Sequence, residues 1–164
     1  MAITAIDARC PECGTALPRG VPNWIRHLKV ADVMTAEPVT LGPEDSLMRA
    51  VEVMRMNGIR RIPVVVGDLV VGLLAQGDLN RAQPSALSDS QEEFVRVMEE
   101  TQISRIMIQK PITVTEDTPL LEAARILHTM KYGGLPVVRE GRLVGIITDN
   151  DLHGCLAELL AQGG

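Results

Sequence analysis

Gly145-Ile146-Ile147-Thr148-Asp149-Asn150-Asp151-Leu152 is the stretch from which the rest of the chain can be read. Small and apolar residues ending in a β-branched pair run straight into Thr-x-x-Asp and then a helical pattern. A strand is therefore expected to pass into a helix N-terminus here, with Thr148 and Asp151 one turn apart at the strand's end. Two chemistries fit such a corner. It can be a capping box, with Thr148 at the N-cap and an acid at the third helical position. It can also present a carboxylate acceptor to a vicinal diol, beside unpaired helix N–H groups that favour an anion. One residue can do both.

The corner is built twice. An offset of 73 sets Met34 on Met107 and aligns the two halves without a gap through Leu79 and Leu152. Identities fall at Met34, Pro38, Thr40, Leu47, Ala50, Pro63, Val64, Val65, Val71, Gly72, Asp78 and Leu79, and most other pairs match apolar to apolar. Each half opens with an extended piece, Val39 to Leu41 and Ile112 to Val114. A helix follows, with Asp45 and Thr118 expected at the N-cap and Pro119 at the first helical position. Its stripe is Leu47, Ala50, Val51 and Met54 in one half and Leu120, Ala123, Ala124 and Leu127 in the other, which is one helix face. Two strands come next, Ile62 to Val66 and Leu69 to Leu74, joined by Gly67-Asp68. Their counterparts, Leu135 to Arg139 and Arg142 to Ile147, are joined by Glu140-Gly141. Both are hairpins. A second helix starts near Gln76 and near Asp149.

The expected class is therefore α/β: two β-α-β-β-α repeats packed with pseudo-twofold symmetry. The divisions are a head at 1–27, repeat 1 at 28–83, a linker with an amphipathic helix at 84–101, and repeat 2 at 102–164.

Composition narrows the function. The chain of 164 residues is 46% hydrophobic but only 2% aromatic, so its core is built from Val, Ile, Leu and Met. A net charge of −5 argues against a nucleic-acid groove, which needs a basic face. The start lacks a basic segment followed by an apolar run, so no signal peptide is expected. No apolar run reaches the roughly 18 residues of a membrane helix, and the expected location is cytoplasmic. No phosphate-loop, dinucleotide or nucleophile-elbow motif occurs. His128 and His153 stand on helices away from any acid–nucleophile pair. An enzyme is not expected.

The head carries Cys10-Pro-Glu-Cys13-Gly14. Two thiolates at this spacing can share one tetrahedral zinc, with the glycine easing the turn. A structural site needs four ligands, and Cys155 lies far off in a helix. A dimer could complete the set with Cys10 and Cys13 from each subunit; the alternative is a pair of free thiols.

The two corners differ. Repeat 1 keeps Asp78 but has Ala75 where repeat 2 has Thr148. Ahead of the first hairpin strand stand Arg60-Arg61 in repeat 1 and Gly133-Gly134 in repeat 2. Arginines there can grip a phosphate bidentately; glycines allow close backbone approach but bring no charge. Phosphate chemistry is thus expected in repeat 1, the alternative being two simply solvated arginines, and a complete diol-accepting corner in repeat 2.

The repeat, the Met34-Thr35 and Pro38-Val39 lead-in, the Ile62-Pro63-Val64-Val65-Val66 and Leu135-Pro136-Val137-Val138 strands and the Gly-Ile-Ile-Thr-x-x-Asp-Leu corner together resemble tandem CBS domains, a Bateman module. The resemblance covers about residues 28–160. It implies a stand-alone regulatory module that binds an adenosine ligand: AMP, ADP, ATP or S-adenosylmethionine. It implies Asp78 and Asp151 at the ribose hydroxyls, Thr148 at ribose or phosphate, and Arg60 and Arg61 at phosphates. Adenine would lie against the lead-in and first hairpin strand, at Val39, Ile112, Pro136 and Val137, with aliphatic walls in place of ring stacking. A disc-like homodimer and a regulated protein partner are also implied. The alternative is a structural dimer module, zinc-clasped or not, that binds a protein partner without nucleotide.

Overall fold

The hairpins form where the sequence places them, and they make the centre of the molecule. The computed structural model describes residues 23–84 and 90–162. Cys10 and Cys13 lie outside the described residues. After single turns of 3-10 helix at Asn23–His27 and Val30–Asp32, the chain runs β1 (Thr35–Ala36), α1 (Leu47–Asn57), β2 (Arg61–Val66), β3 (Leu69–Ala75) and α2 (Gln76–Ala82). The linker helix is α3 (Gln91–Glu100). Then come a 3-10 turn at Ile103–Arg105, β4 (Ile108–Gln109), α4 (Leu120–Met130), β5 (Gly134–Arg139), β6 (Arg142–Thr148) and α5 (Asp149–Gln162). The result is a mixed α/β unit whose six strands form one antiparallel sheet.

Local chemistry sets the helix ends, one residue later than expected. Ser46, not Asp45, caps α1, accepting the Arg49 N–H at 3.2 Å. Asp45 instead accepts the Gly42 N–H at 2.7 Å, tightening the preceding turn. In repeat 2 the N-cap is Pro119, and the Thr118 hydroxyl accepts from the Thr115 N–H at 3.0 Å. Asp and Thr favour turns as readily as caps, so a turn directly before a helix takes them first. In α1 the buried residues are Leu47, Ala50, Val53 and Met54, with Val51 at the edge of the stripe.

The lead-ins depart most from the expected plan. Val39 to Leu41 and Ile112 to Val114 form only single parallel bridges, Leu41 to Val64 and Val114 to Val137. The lead-in strands lie further upstream and cross over. β1 pairs with β6 through Thr35–Ile146 and Ala36–Gly145, and β4 pairs with β3 through Gly72–Gln109 and Leu73–Ile108. Glycine makes the crossing possible: a Cβ on Gly145 would stand 2.7 Å from Met34 Sδ and 3.0 Å from the Thr35 carbonyl. Backbone bonds lock both crossings, Val30 N–H to Thr118 O at 2.9 Å and Ile103 N–H to Asp45 O at 2.9 Å.

Each repeat's core is consequently closed by the other's lead-in. Val30 is fully buried among Val114, Ala123, Leu127, Leu135, Val137 and Ile147 of repeat 2. Ile103, with Met98 of α3, is buried among Leu47, Ala50, Ile62 and Leu74 of repeat 1. Neither sequence repeat is a packing unit by itself. Among the described residues no helix is long and apolar enough to cross a membrane.

Candidate functional site

The exchange of lead-ins makes the repeat 2 corner a composite of both repeats. At the end of β6, Asp151 Oδ2 accepts from the Thr148 N–H at 2.7 Å and from the Thr148 hydroxyl at 2.6 Å. The Asp151 N–H reaches back to Thr148 Oγ1 at 3.3 Å, which completes a capping box. Among the described residues the other oxygen, Oδ1, meets only the Thr35 hydroxyl of the repeat 1 lead-in, at 3.3 Å. A carboxylate oxygen has lone pairs to spare beyond one long bond. One oxygen of the residue is therefore committed to the cap, and the other keeps acceptor capacity. Thr35 is a site residue that the pattern did not single out; it sits 116 positions from Asp151, beyond any local periodicity.

The repeat 1 corner is more closed. Asp78 Oδ2 still accepts the Ala75 N–H, at 3.3 Å, so half of the capping box survives without the threonine. A capping role therefore does extend to Asp78. Its Oδ1 is held in an ion pair by Arg81, one turn on in α2. The Asp78 side chain is 15% exposed. Asp78 and Arg81 stand at i, i+3 spacing on one helix, a local signal for an ion pair.

Arg60 and Arg61 part company. Arg60 lines a groove of about 490 Å³ between α1 and α2, with Arg55, Gln76 and Asn80. The Arg61 side chain reaches across into repeat 2. Its backbone pairs with Ala75, but its Nε donates to the Tyr132 carbonyl at 2.7 Å and its Nη1 to the Arg60 carbonyl at 2.9 Å. The guanidinium covers Gly133, and its stem lies against Gly134. A Cβ on Gly134 would be 3.3 Å from Arg61 Cγ and 3.4 Å from Thr148 Cγ2. The glycine pair brings no charge of its own to repeat 2, yet it receives one from repeat 1.

The expected adenine walls divide by burial. Val39 and Ile112 are 40% and 37% exposed and offer surface. Val137 is fully buried in the repeat 2 core, and Pro136 is buried beside it with its carbonyl taken by the Val114 N–H at 3.1 Å. Both side chains are packed into the interior. An unbroken apolar run is packed on both faces, so these two positions went to the core.

A second cavity, about 470 Å³, lies beside the Thr148–Asp151 corner between Trp24, Leu28 and Val33 and the α5 residues Asp151, Cys155 and Leu159. Burial, with Glu158 nearby, raises the Cys155 thiol above its ordinary range, which keeps it protonated. Among the described residues no cluster of His, Cys, Asp or Glu is placed to hold a metal.

Comparison with known proteins places this geometry. The CBS domain profile matches twice, over residues 30–85 and 103–158. The chain is 32% identical over 134 residues to a CBS domain-containing protein of Dictyostelium discoideum, covering 80% of this chain and 92% of that one. It is 34% identical to part of an inosine-5'-monophosphate dehydrogenase of Korarchaeum cryptofilum, but spans only 25% of that longer protein. Among solved structures it resembles CBSX2 of Arabidopsis thaliana in complex with AMP (TM-score 0.66, 25% identity, 80% of this chain and 97% of that one). It also resembles the CBS domain pair of protein MJ0100 in complex with 5'-methylthioadenosine and S-adenosyl-L-methionine (TM-score 0.67, 26% identity, 80% and 97%). With two matched domains spanning most of its described length, the chain belongs to the CBS domain family.

Proposed function

We propose that the chain is a regulatory module that binds an adenosine-containing ligand and does no chemistry on it. The observation that carries this reading is Asp151. One of its oxygens is fixed by the capping box, and the other faces the lead-in of the opposite repeat with one long bond to satisfy. A ribose diol supplies two hydroxyl donors to such an acceptor. Thr148 holds the carboxylate in place, and Val39 and Ile112 offer aliphatic surface to a base. The two structures bound to AMP and to S-adenosylmethionine support the same ligand class.

Asp78 is the second ribose acceptor, weaker because a ligand must first displace Arg81. Arg60 and Arg61 supply charge for phosphates, and Pro136 and Val137 stiffen the wall behind the base. Calorimetric titration with AMP, ADP, ATP and S-adenosylmethionine tests the reading. Micromolar binding of at least one supports it, and no binding below millimolar by any of them overturns it.

The closed Asp78 corner favours a second reading, in which the chain is a structural or interaction dimer module that binds a protein partner without nucleotide. We place a homodimer on the helical face, where Leu121, Leu156 and Leu160 are 63%, 52% and 65% exposed. Sedimentation of the full chain tests this. For the head, Cys10 and Cys13 remain candidate zinc ligands on thiolate chemistry alone, tested by the metal content of protein purified without a metal-affinity tag. A regulated protein partner and a cytoplasmic location complete the proposal.

A further inference from the structure

Arg61 is the cation that crosses between repeats at the corners. Its only partners among the described residues are two neutral carbonyls, Tyr132 O at 2.7 Å and Arg60 O at 2.9 Å. No carboxylate pairs with it there. Its seat is specific: Gly133 is buried, has φ +70°, and a Cβ there would stand 2.7 Å from Arg61 Nε and Cζ. A side chain at that position would meet both backbone strain and the guanidinium. The Gly133 carbonyl in turn accepts the Asp149 N–H, the first residue of α5, at 3.2 Å. One chain of contacts thus runs from Arg61 in repeat 1, through the Tyr132–Gly133 loop, to the helix that carries Asp151.

We propose that Arg61 is a phosphate-operated latch between the repeats, and that it makes the module respond to phosphorylated adenosine ligands differently from unphosphorylated ones. The inference rests on the adenosine reading above and adds how such a ligand is sensed. Charge-assisted bonds from a guanidinium to a phosphate are about twice as strong as bonds to neutral acceptors. A phosphate beside the Thr148–Asp151 corner draws Arg61 off the Tyr132 carbonyl. That releases the loop at residues 131–134, which otherwise stays seated. A ligand without phosphate occupies the ribose corner and leaves the latch closed. The two ligands then differ in their preference for the open and closed arrangements, which is what a population shift requires.

The test is amide hydrogen exchange over residues 131–135 of the full chain, at saturating AMP and at saturating adenosine, with binding measured separately by calorimetry. AMP is expected to speed exchange of this segment by about tenfold, the scale of one lost charged-group hydrogen bond, and adenosine to leave it near the unliganded rate. Arg61→Ala is expected to exchange quickly without ligand and to show no further AMP effect. Arg61→Gln keeps the stem and a donor but not the charge, and is expected to hold the loop closed while losing the AMP response. An Asp151→Asn variant is expected to lose that response at ligand concentrations that saturate the wild type. Equal effects of AMP and adenosine, or an AMP effect that survives in Arg61→Gln, would overturn the latch while leaving the adenosine reading intact. Failure of AMP to bind the wild type would overturn the latch, and failure of AMP, ADP, ATP and S-adenosylmethionine alike would overturn both.

Discussion

The two strand-to-helix corners share a backbone bond to an aspartate carboxylate and differ in the chemistry around it. At the end of β6 a threonine and an aspartate complete a capping box, and one carboxylate oxygen is left facing a hydroxyl from the other repeat. At the end of β3 an alanine replaces the threonine, and Arg81 occupies the carboxylate oxygen that would be free. Duplication kept the scaffold and let the site diverge. Sequence similarity between halves therefore reports the fold, while the differences at Ala75, Arg81 and Gly133 report what each half can hold.

The largest effect expected tests the scaffold common to both corners. Ile103 belongs to repeat 2 by sequence but sits in the repeat 1 core. Ile103→Ala should cost roughly 2–5 kcal/mol in urea denaturation. It should do so in a single transition that unfolds both repeats, since each closes the other. Two separate transitions would show that the repeats are independent units.

A smaller effect sharpens the difference between corners. Thr148→Ala removes a cap hydroxyl and should cost about 1 kcal/mol. Ala75→Thr should recover some tenths to 1 kcal/mol, because Asp78 is already placed to complete the box. If Ala75→Thr destabilises the protein, the two corners are less alike than their backbones indicate.

Much of the architecture was legible in the residues. The repeat, both hairpins and the α3 helix follow from periodicity and turn chemistry, which are local. The exchange of lead-ins was not legible: Val30 finds Thr118 and Thr35 finds Asp151 through tertiary packing across the pseudo-twofold axis. The same limit explains Arg60 and Arg61, adjacent in sequence and assigned one role, yet directed to different places. Val137 is fully buried, as the apolar run around it indicates for a strand covered on both faces.

The smallest effect concerns an exposed pair that ties the repeat 1 lead-in to repeat 2. Lys29 Nζ lies 2.7 Å from Asp117 Oδ1. The hydrogen bond and charge of Lys29 hold the Asp117 carboxyl below its ordinary value of 3.8, and those of Asp117 raise Lys29 above 10.5. A depressed carboxylate contributes stability above its unfolded value and loses it as pH falls through the folded one. A raised lysine contributes below its unfolded value and loses it as pH rises through the folded one. Asp117→Asn should thus lower the melting temperature slightly at neutral pH, and the difference from wild type should vanish in acid below the carboxylate range. A difference that persists there would assign the residue a role other than this ion pair.

The central claim is that the Thr148–Asp151 corner is the principal adenosine site. Parallel calorimetric titrations of AMP into wild type, Asp151→Asn and Asp78→Asn measure it most directly. Loss of a charged acceptor at the ribose should weaken binding by about tenfold or more in Asp151→Asn, with a clearly smaller loss in Asp78→Asn, where Arg81 already competes. A larger loss from Asp78→Asn, or equal affinities in all three proteins, would contradict the account.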